Sequence, residues 1–283
     1  MVESTRAHER LTERPLAGVT RTFTGPADRP VSLYLPVRTL PHAMPSGRSP
    51  SDEPLPLLVI HFHGAAWLAH QAVDALPVSA ISVVLNLGGG SSAYERPFTD
   101  ETTFGALLAS IQREVGEVMG RPVRIGPIAI TSFSAGYGAV RAILRSADAA
   151  SRVQHLLLLD GLHTSYVPEG RTLADGGVLD TTNLMPFANV ARAAERGERR
   201  VLITHSEIFP GSYASTTETA DWLLHTLQQR RTPVLQWGPR GMQQLSAVRV
   251  GGFELLGYAG NSAPDHVDQL HALPELLARL LQP

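Results

Sequence analysis

The sequence predicts an α/β domain in which a mostly parallel central sheet carries helices on both faces. Three observations predict it. Continuous apolar runs alternate with amphipathic stretches along most of the chain, as strands buried on both faces alternate with covering helices. One of these runs, Ile128-Ala-Ile-Thr-Ser-Phe-Ser134-Ala-Gly-Tyr-Gly138, stops at a serine among small residues and passes at once into a helical pattern. No linker or internal repeat divides the chain after residue 54, so residues 17–283 read as one domain behind a polar segment at 1–16. Of the 283 residues, 43% are apolar, enough for a sizeable core.

Taken in order, residues 1–16 are polar and expected to fray. Gly18–Thr24 and Val31–Val37 alternate as half-buried strands do, and Gly25–Pro30 joins them as a hairpin. Residues 38–54 are rich in proline and serine and read as a surface loop. Leu55 to Gly64 is a continuous apolar run that ends in His-Gly and suits a central strand. Ile81–Leu87 is a second such strand, closed by a flexible loop at Gly88–Ser92. A helix is predicted from about Glu101, with Phe104, Leu107, Leu108, Ile111, Val115, Val118 and Met119 on one face.

The strand before Ser134 leads into a helix with Ala139, Val140, Ile143 and Leu144 inward, and then into the apolar strand Val153–Asp160. Residues 161–185 are rich in Gly, Thr and Asp without clear periodicity, and the stretch 161–199 is expected to form a cap or a wall of the active site. Within it a short helix is predicted over Pro186–Arg196. Arg200–Ser206 follows as a strand and Thr217–Gln229 as a helix. Pro233–Trp237 and Gly252–Tyr258 read as the last strands, with the connection between them undefined. The loop Gly260–His266 then opens a final helix carrying Val267, Leu270, Leu273, Leu276, Leu277 and Leu280.

Composition narrows the function classes. The formal charge is only −2 and no basic stripe is present, so a nucleic-acid partner is not expected. No apolar stretch approaches the ~20 residues that span a bilayer, so no membrane partner is expected either. The absence of cysteine rules out disulfides, thiolate catalysis and cysteine-ligated zinc. His61 and His63 form a His-x-His pair, but no further ligand cluster follows, and neither a metal nor a cofactor is expected. The charged start Met1–Arg10 lacks the apolar core of a signal peptide, which makes a cytoplasmic protein the default. A mature secreted form begun with a new methionine would read the same, and the oligomeric state is left open.

The chemistry-bearing residues lie at the ends of the predicted strands. A serine hydroxyl is a weak nucleophile, so acyl transfer needs a base, a carboxylate to hold that base, and donors for the oxyanion. Ser134 sits at the sharp strand-to-helix turn, in the pattern Ser132-Phe-Ser134-Ala-Gly136, where a serine stands in the place of the first glycine of G-x-S-x-G. His266 follows the last strand and fits the base, while two carboxylates compete for the acid: Asp160, which is favoured, and Glu207. The backbone N–H of Ala135 is one candidate oxyanion donor, and that of Ala65, in the loop His63-Gly-Ala-Ala-Trp67, is the other. His63, Trp67, Tyr137 and His163 are candidate substrate contacts, with His205, Ser206 and Tyr213 in the same predicted cluster.

These residues resemble the α/β-hydrolase superfamily of serine esterases over residues 17–283, on His63-Gly64, Ser132-x-Ser134-x-Gly136, Asp160 and His266 in that order. The resemblance implies an α/β-hydrolase fold and a serine hydrolase of carboxylic esters. It assigns the nucleophile to Ser134, the base to His266, the acid provisionally to Asp160 and the oxyanion hole to Ala65 and Ala135. The partner is then a small-molecule ester, soluble or carbohydrate-linked, since 6% aromatic content and no long apolar lid do not suit a lipase. Amide hydrolysis or acyl transfer on the same residues, and a non-catalytic binding protein of the same fold, are the alternatives.

Overall fold

The structure is a computed structural model that describes residues 7–40 and 56–282. The expected surface loop lies outside the described residues from position 41 onward. Strands β1 (Gly18–Thr24) and β2 (Pro30–Pro36) form the expected antiparallel hairpin. Strand β3 (Leu57–Phe62) and helix α1 (Ala66–Asp74) lead to β4 (Ala80–Leu85). A short helix α2 (Ser91–Glu95) and a long one, α3 (Thr102–Met119), come next. Strand β5 (Ile128–Phe133) turns through Ser134 into α4 (Tyr137–Arg145), then α5 (Ala147–Ser151) and β6 (Val153–Leu159).

A small hairpin, β7 (Tyr166–Val167) with β8 (Val178–Leu179), and helix α6 (Met185–Glu195) occupy the stretch before β9 (Arg200–His205). Helix α7 (Thr216–Leu227) starts in a capping box made by Ser215 and Glu218. Strands β10 (Thr232–Trp237), β11 (Gln243–Val250) and β12 (Phe253–Tyr258) precede the terminal helices α8 (Ala263–His271) and α9 (Leu273–Leu281).

Ten strands make one sheet in the order β1-β2-β4-β3-β5-β6-β9-β12-β11-β10. The strands from β4 to β12 in that order are parallel, and the hairpins at both edges are antiparallel. Every residue of β3, β4 and β5 is buried, which is why they read as continuous apolar runs. Alternate residues feed opposite layers. Leu58, Ile60 and Phe62 join a core with α3, α4, α6 and α7, whereas Leu57 and Val59 join one with α1 and α9. Because the central strands run parallel, the residues following β3, β5, β6, β9 and β12 gather along one edge of the sheet.

The differences from the sequence reading have local causes. Helix α1 leaves no start signal in the sequence, because Ala65 offers no side-chain cap to announce it. Strand β11 fills the undefined connection, with the mixed burial of a strand next to the sheet edge. The single terminal helix breaks at Ala272, with Pro274 in the first turn of α9. Residues 7–16 carry no regular structure but are tied to α8 and α1. His8 Nδ1 lies 2.5 Å from Asp268 Oδ2, Arg10 Nε donates to Asp268 Oδ1 at 3.1 Å, and the Leu11 N–H donates to His271 Nδ1 at 3.0 Å. No described helix is long and apolar enough to cross a membrane.

Candidate active site

Strand β5 delivers Ser134 in a left-handed backbone conformation, φ 46°. A residue with a side chain pays about 1–3 kcal/mol for such a backbone, so the surroundings must enforce it. Two glycines provide the room. A Cβ on Gly136 would lie 2.2 Å from the Phe62 carbonyl oxygen, and one on Gly161 would lie 2.7 Å from the Ser134 carbonyl oxygen. Ser132, in the place of the first glycine of the motif, is fully buried, and its hydroxyl has no hydrogen-bond partner among the described residues. Ala135 stands in the tight turn that opens α4, where a backbone N–H has no acceptor within the helix.

The chain then places Asp160 at the end of β6, also left-handed at φ 43°, against His266 in the first turn of α8. His266 Nδ1–H donates to Asp160 Oδ2 at 2.7 Å. The other carboxylate positions are filled as well. Oδ1 accepts the Ser206 N–H at 2.8 Å and the Thr216 hydroxyl at 2.7 Å, and Oδ2 accepts the Ser206 hydroxyl at 2.7 Å. Burial alone would raise the pKa of this carboxyl, but the hydrogen bond and charge of His266, with the Thr216 and Ser206 hydroxyls, outweigh it and hold the value at about 2. Glu207, the competing carboxylate, is exposed, and among the described residues only its backbone N–H is engaged, with the Gly260 carbonyl at 2.9 Å.

The His266 ring lies on Phe133, the residue before Ser134, with centroids 4.5 Å apart. His63 stacks on the same phenyl ring at 5.9 Å and 13°. Ser134 and His266 share no direct hydrogen bond.

The loop after β3 is bent by His63 at φ 72° and Gly64 at φ 128°. Its first two amides are used. The His63 N–H donates to the Leu85 carbonyl at 3.1 Å, and the Gly64 N–H to Asn86 Oδ1 at 3.0 Å. Asn86 Nδ2 returns a bond to the Gly64 carbonyl at 2.8 Å, clamping the loop from both sides. The next amide, that of Ala65, has no acceptor among the described residues. His63 Nδ1 pairs with the Tyr94 hydroxyl at 2.7 Å. His61 is separate from it: fully buried, paired with the Thr131 hydroxyl at 2.7 Å, and lowered by burial to a pKa of about 3. Among the described residues the ligand cluster with metal-binding spacing is His8, Asp265 and Asp268, and the Arg10 guanidinium already sits on Asp268.

A pocket of about 350 Å³ opens beside Ser134, with Ala135, Tyr137, His163 and Tyr213 in its wall together with Gly89–Ser91, Thr164 and Ser165. Among the described residues, no lining side chain is an acid, a lysine or an arginine. Tyr137 and His163 line this pocket, and the irregular stretch after β6 supplies part of its wall. Trp67 does not line the pocket; its indole packs edge-on against His271 at 6.0 Å, because α1 turns that face toward α8. His205 is also elsewhere, buried with Arg231 Nη1 2.5 Å from its Nε2. Ser206 serves the Asp160 carboxylate and does not line the pocket. Thr216 and Asn86 were not singled out in the sequence. An Asn at a strand end before Gly88-Gly-Gly90 is the one signal that could have found the second.

No family model matches the chain, and no curated protein matches it in sequence. Among solved structures it is similar to the enterobactin esterase FES from Shigella flexneri, with a TM-score of 0.51 and 13% identity over 97% of this chain and 61% of that one. A puromycin-hydrolyzing peptidase of Mycobacterium tuberculosis gives 0.47 and 16% over 93% and 39%, and an esterase from the archaeon Pyrobaculum calidifontis 0.47 and 15% over 94% and 83%. The chain spans about two fifths of the length of the peptidase and about three fifths of the Shigella protein. At such identities the likeness concerns the fold, and the fold is that of the α/β-hydrolases.

Proposed function

We propose that this chain, an α/β-hydrolase by fold, is a serine hydrolase of carboxylic esters. Ser134 Oγ attacks the ester carbonyl and His266 Nε2 takes its proton. Asp160 holds Nδ1–H, which fixes the tautomer with Nε2 free to accept and stabilises the imidazolium as it forms. The N–H groups of Ala65 and Ala135 receive the negative charge that develops on the carbonyl oxygen. The alcohol leaves with the proton from His266, and water then cleaves the acyl-enzyme by the same route in reverse.

One observation carries this reading: the 2.7 Å bond from His266 to a buried, four-fold hydrogen-bonded Asp160, with the imidazole resting on the phenyl ring next to Ser134. The uncharged, hydroxyl-lined pocket supports a small neutral substrate, and a carbohydrate-linked acyl ester is of that kind. Turnover of p-nitrophenyl acetate tests the proposal. Ser134→Ala is expected to abolish it with the folded state intact, and undiminished turnover in that variant defeats the proposal.

A further inference from the structure

His163 stands in the wall of the pocket beside Ser134. Its Nδ1 lies 2.9 Å from the backbone carbonyl oxygen of Ala214. A carbonyl oxygen only accepts, so Nδ1 carries the proton, and in the neutral ring Nε2 is left as a lone pair. Among the described residues nothing donates to that nitrogen. The ring is held edge-on between two aromatic neighbours, Tyr137 at 5.6 Å and Tyr213 at 5.1 Å. Burial lowers its pKa, and the bond to Ala214 and the charge of Asp160 only partly oppose this, so the neutral form prevails at pH 7.

A fixed acceptor in a small pocket discriminates. A substrate that brings a donor satisfies it, whereas an isostere without one strips its water and leaves the lone pair unpaired. We propose that His163 Nε2 is a specificity-determining acceptor that selects esters bearing a hydroxyl or amide N–H a few bonds from the scissile carbonyl. This assignment rests on the ester-hydrolase reading above and narrows its substrate class.

Two substrate series test it on the native chain. On the acyl side these are p-nitrophenyl 3-hydroxybutanoate, 3-methylbutanoate and 3-methoxybutanoate; on the alcohol side, 2-hydroxyethyl, propyl and 2-methoxyethyl acetate. In one series the hydroxylated ester is expected to exceed its isostere in kcat/KM by about 10-fold, with no such gain for the methoxy ester, which cannot donate. In His163→Asn, whose amide nitrogen can replace Nδ1–H toward Ala214 but which offers nothing at Nε2, the preference is expected to fall to within about twofold. Absence of a preference in both series, an equal gain for the methoxy ester, or a preference that survives in His163→Asn overturns the proposal. The native series decides alone if the variant does not fold. Failure of the hydrolase reading looks different: no ester is turned over and a fluorophosphonate leaves Ser134 unlabelled, which removes this proposal with it.

Discussion

Asp160→Asn is the substitution whose consequence follows most directly from the hydrogen bonds. The amide that replaces the carboxylate has one accepting atom and one donating atom, and it must choose which faces which set of partners. The Ser206 N–H at 2.8 Å from Oδ1 is an obligate donor, so the amide oxygen takes that side. The amide NH₂ then occupies the Oδ2 position, 2.7 Å from His266 Nδ1. The Ser206 hydroxyl can rotate to accept from it, but His266 can do so only by moving its own proton to Nε2. That tautomer cannot take a proton from Ser134. The expected loss in kcat/KM is about 10⁴-fold, as for the corresponding change in serine proteases, which is about 5–6 kcal/mol of transition-state stabilisation. Glu207→Gln should stay within about twofold, since its side chain joins no part of this network. Steady-state kinetics with p-nitrophenyl acetate measures both. An Asp160→Asn protein that keeps activity within tenfold, or a large loss in Glu207→Gln, would refute the tautomer argument.

Three further outcomes follow from the same contacts. Gly161→Ala puts a methyl group 2.7 Å from the Ser134 carbonyl oxygen, and the shift it forces is expected to cost about 1–3 kcal/mol in denaturation and about 100-fold in kcat/KM; wild-type kinetics would show that the turn at Ser134 is not confined there. Ser132→Ala removes a buried hydroxyl without a partner among the described residues and should stabilise the fold by about 1 kcal/mol, a rise in Tm of about 2–4 °C; a marked fall would mean that the hydroxyl is satisfied. Burial, joined in His205 by the Arg231 charge, depresses His61 to about 3 and His70 and His205 to about 4, from 6.5 in the unfolded chain. The unfolded state therefore binds more protons below pH 6.5, and urea denaturation should show stability intact above that pH and falling steadily toward pH 4. A flat profile over that window contradicts it.

The sheet and the strand-to-helix turn at Ser134 were legible in the sequence because both are local. Six consecutive buried residues in β5 and the abrupt Ser134-Ala-Gly136 turn leave a continuous signature, and the place of His266 after the last strand follows from chain order. Between Asp160 and Glu207 the sequence could only favour one, since both follow adjacent parallel strands. What favours Asp160 in the proposed mechanism is its surroundings, Ser206, Thr216 and His266, which lie 46 to 106 residues away from it. The same limit explains the polar segment at 7–16. Its partners Asp268 and His271 are some 260 positions distant, so the sequence shows charges without showing what they meet. Trp67 misled for a related reason: the helix that carries it was unannounced, and its facing toward His271 depended on that helix.

The central claim is that Ser134, activated through His266 and Asp160, forms a covalent bond with the substrate. Mass spectrometry of the chain after reaction with a fluorophosphonate, followed by peptide mapping, examines that bond without reference to any substrate. The account predicts one adduct per chain, on Ser134, with labelling abolished in Ser134→Ala and strongly slowed in His266→Ala. A folded protein that takes up no label, or takes it up at another residue, contradicts the account.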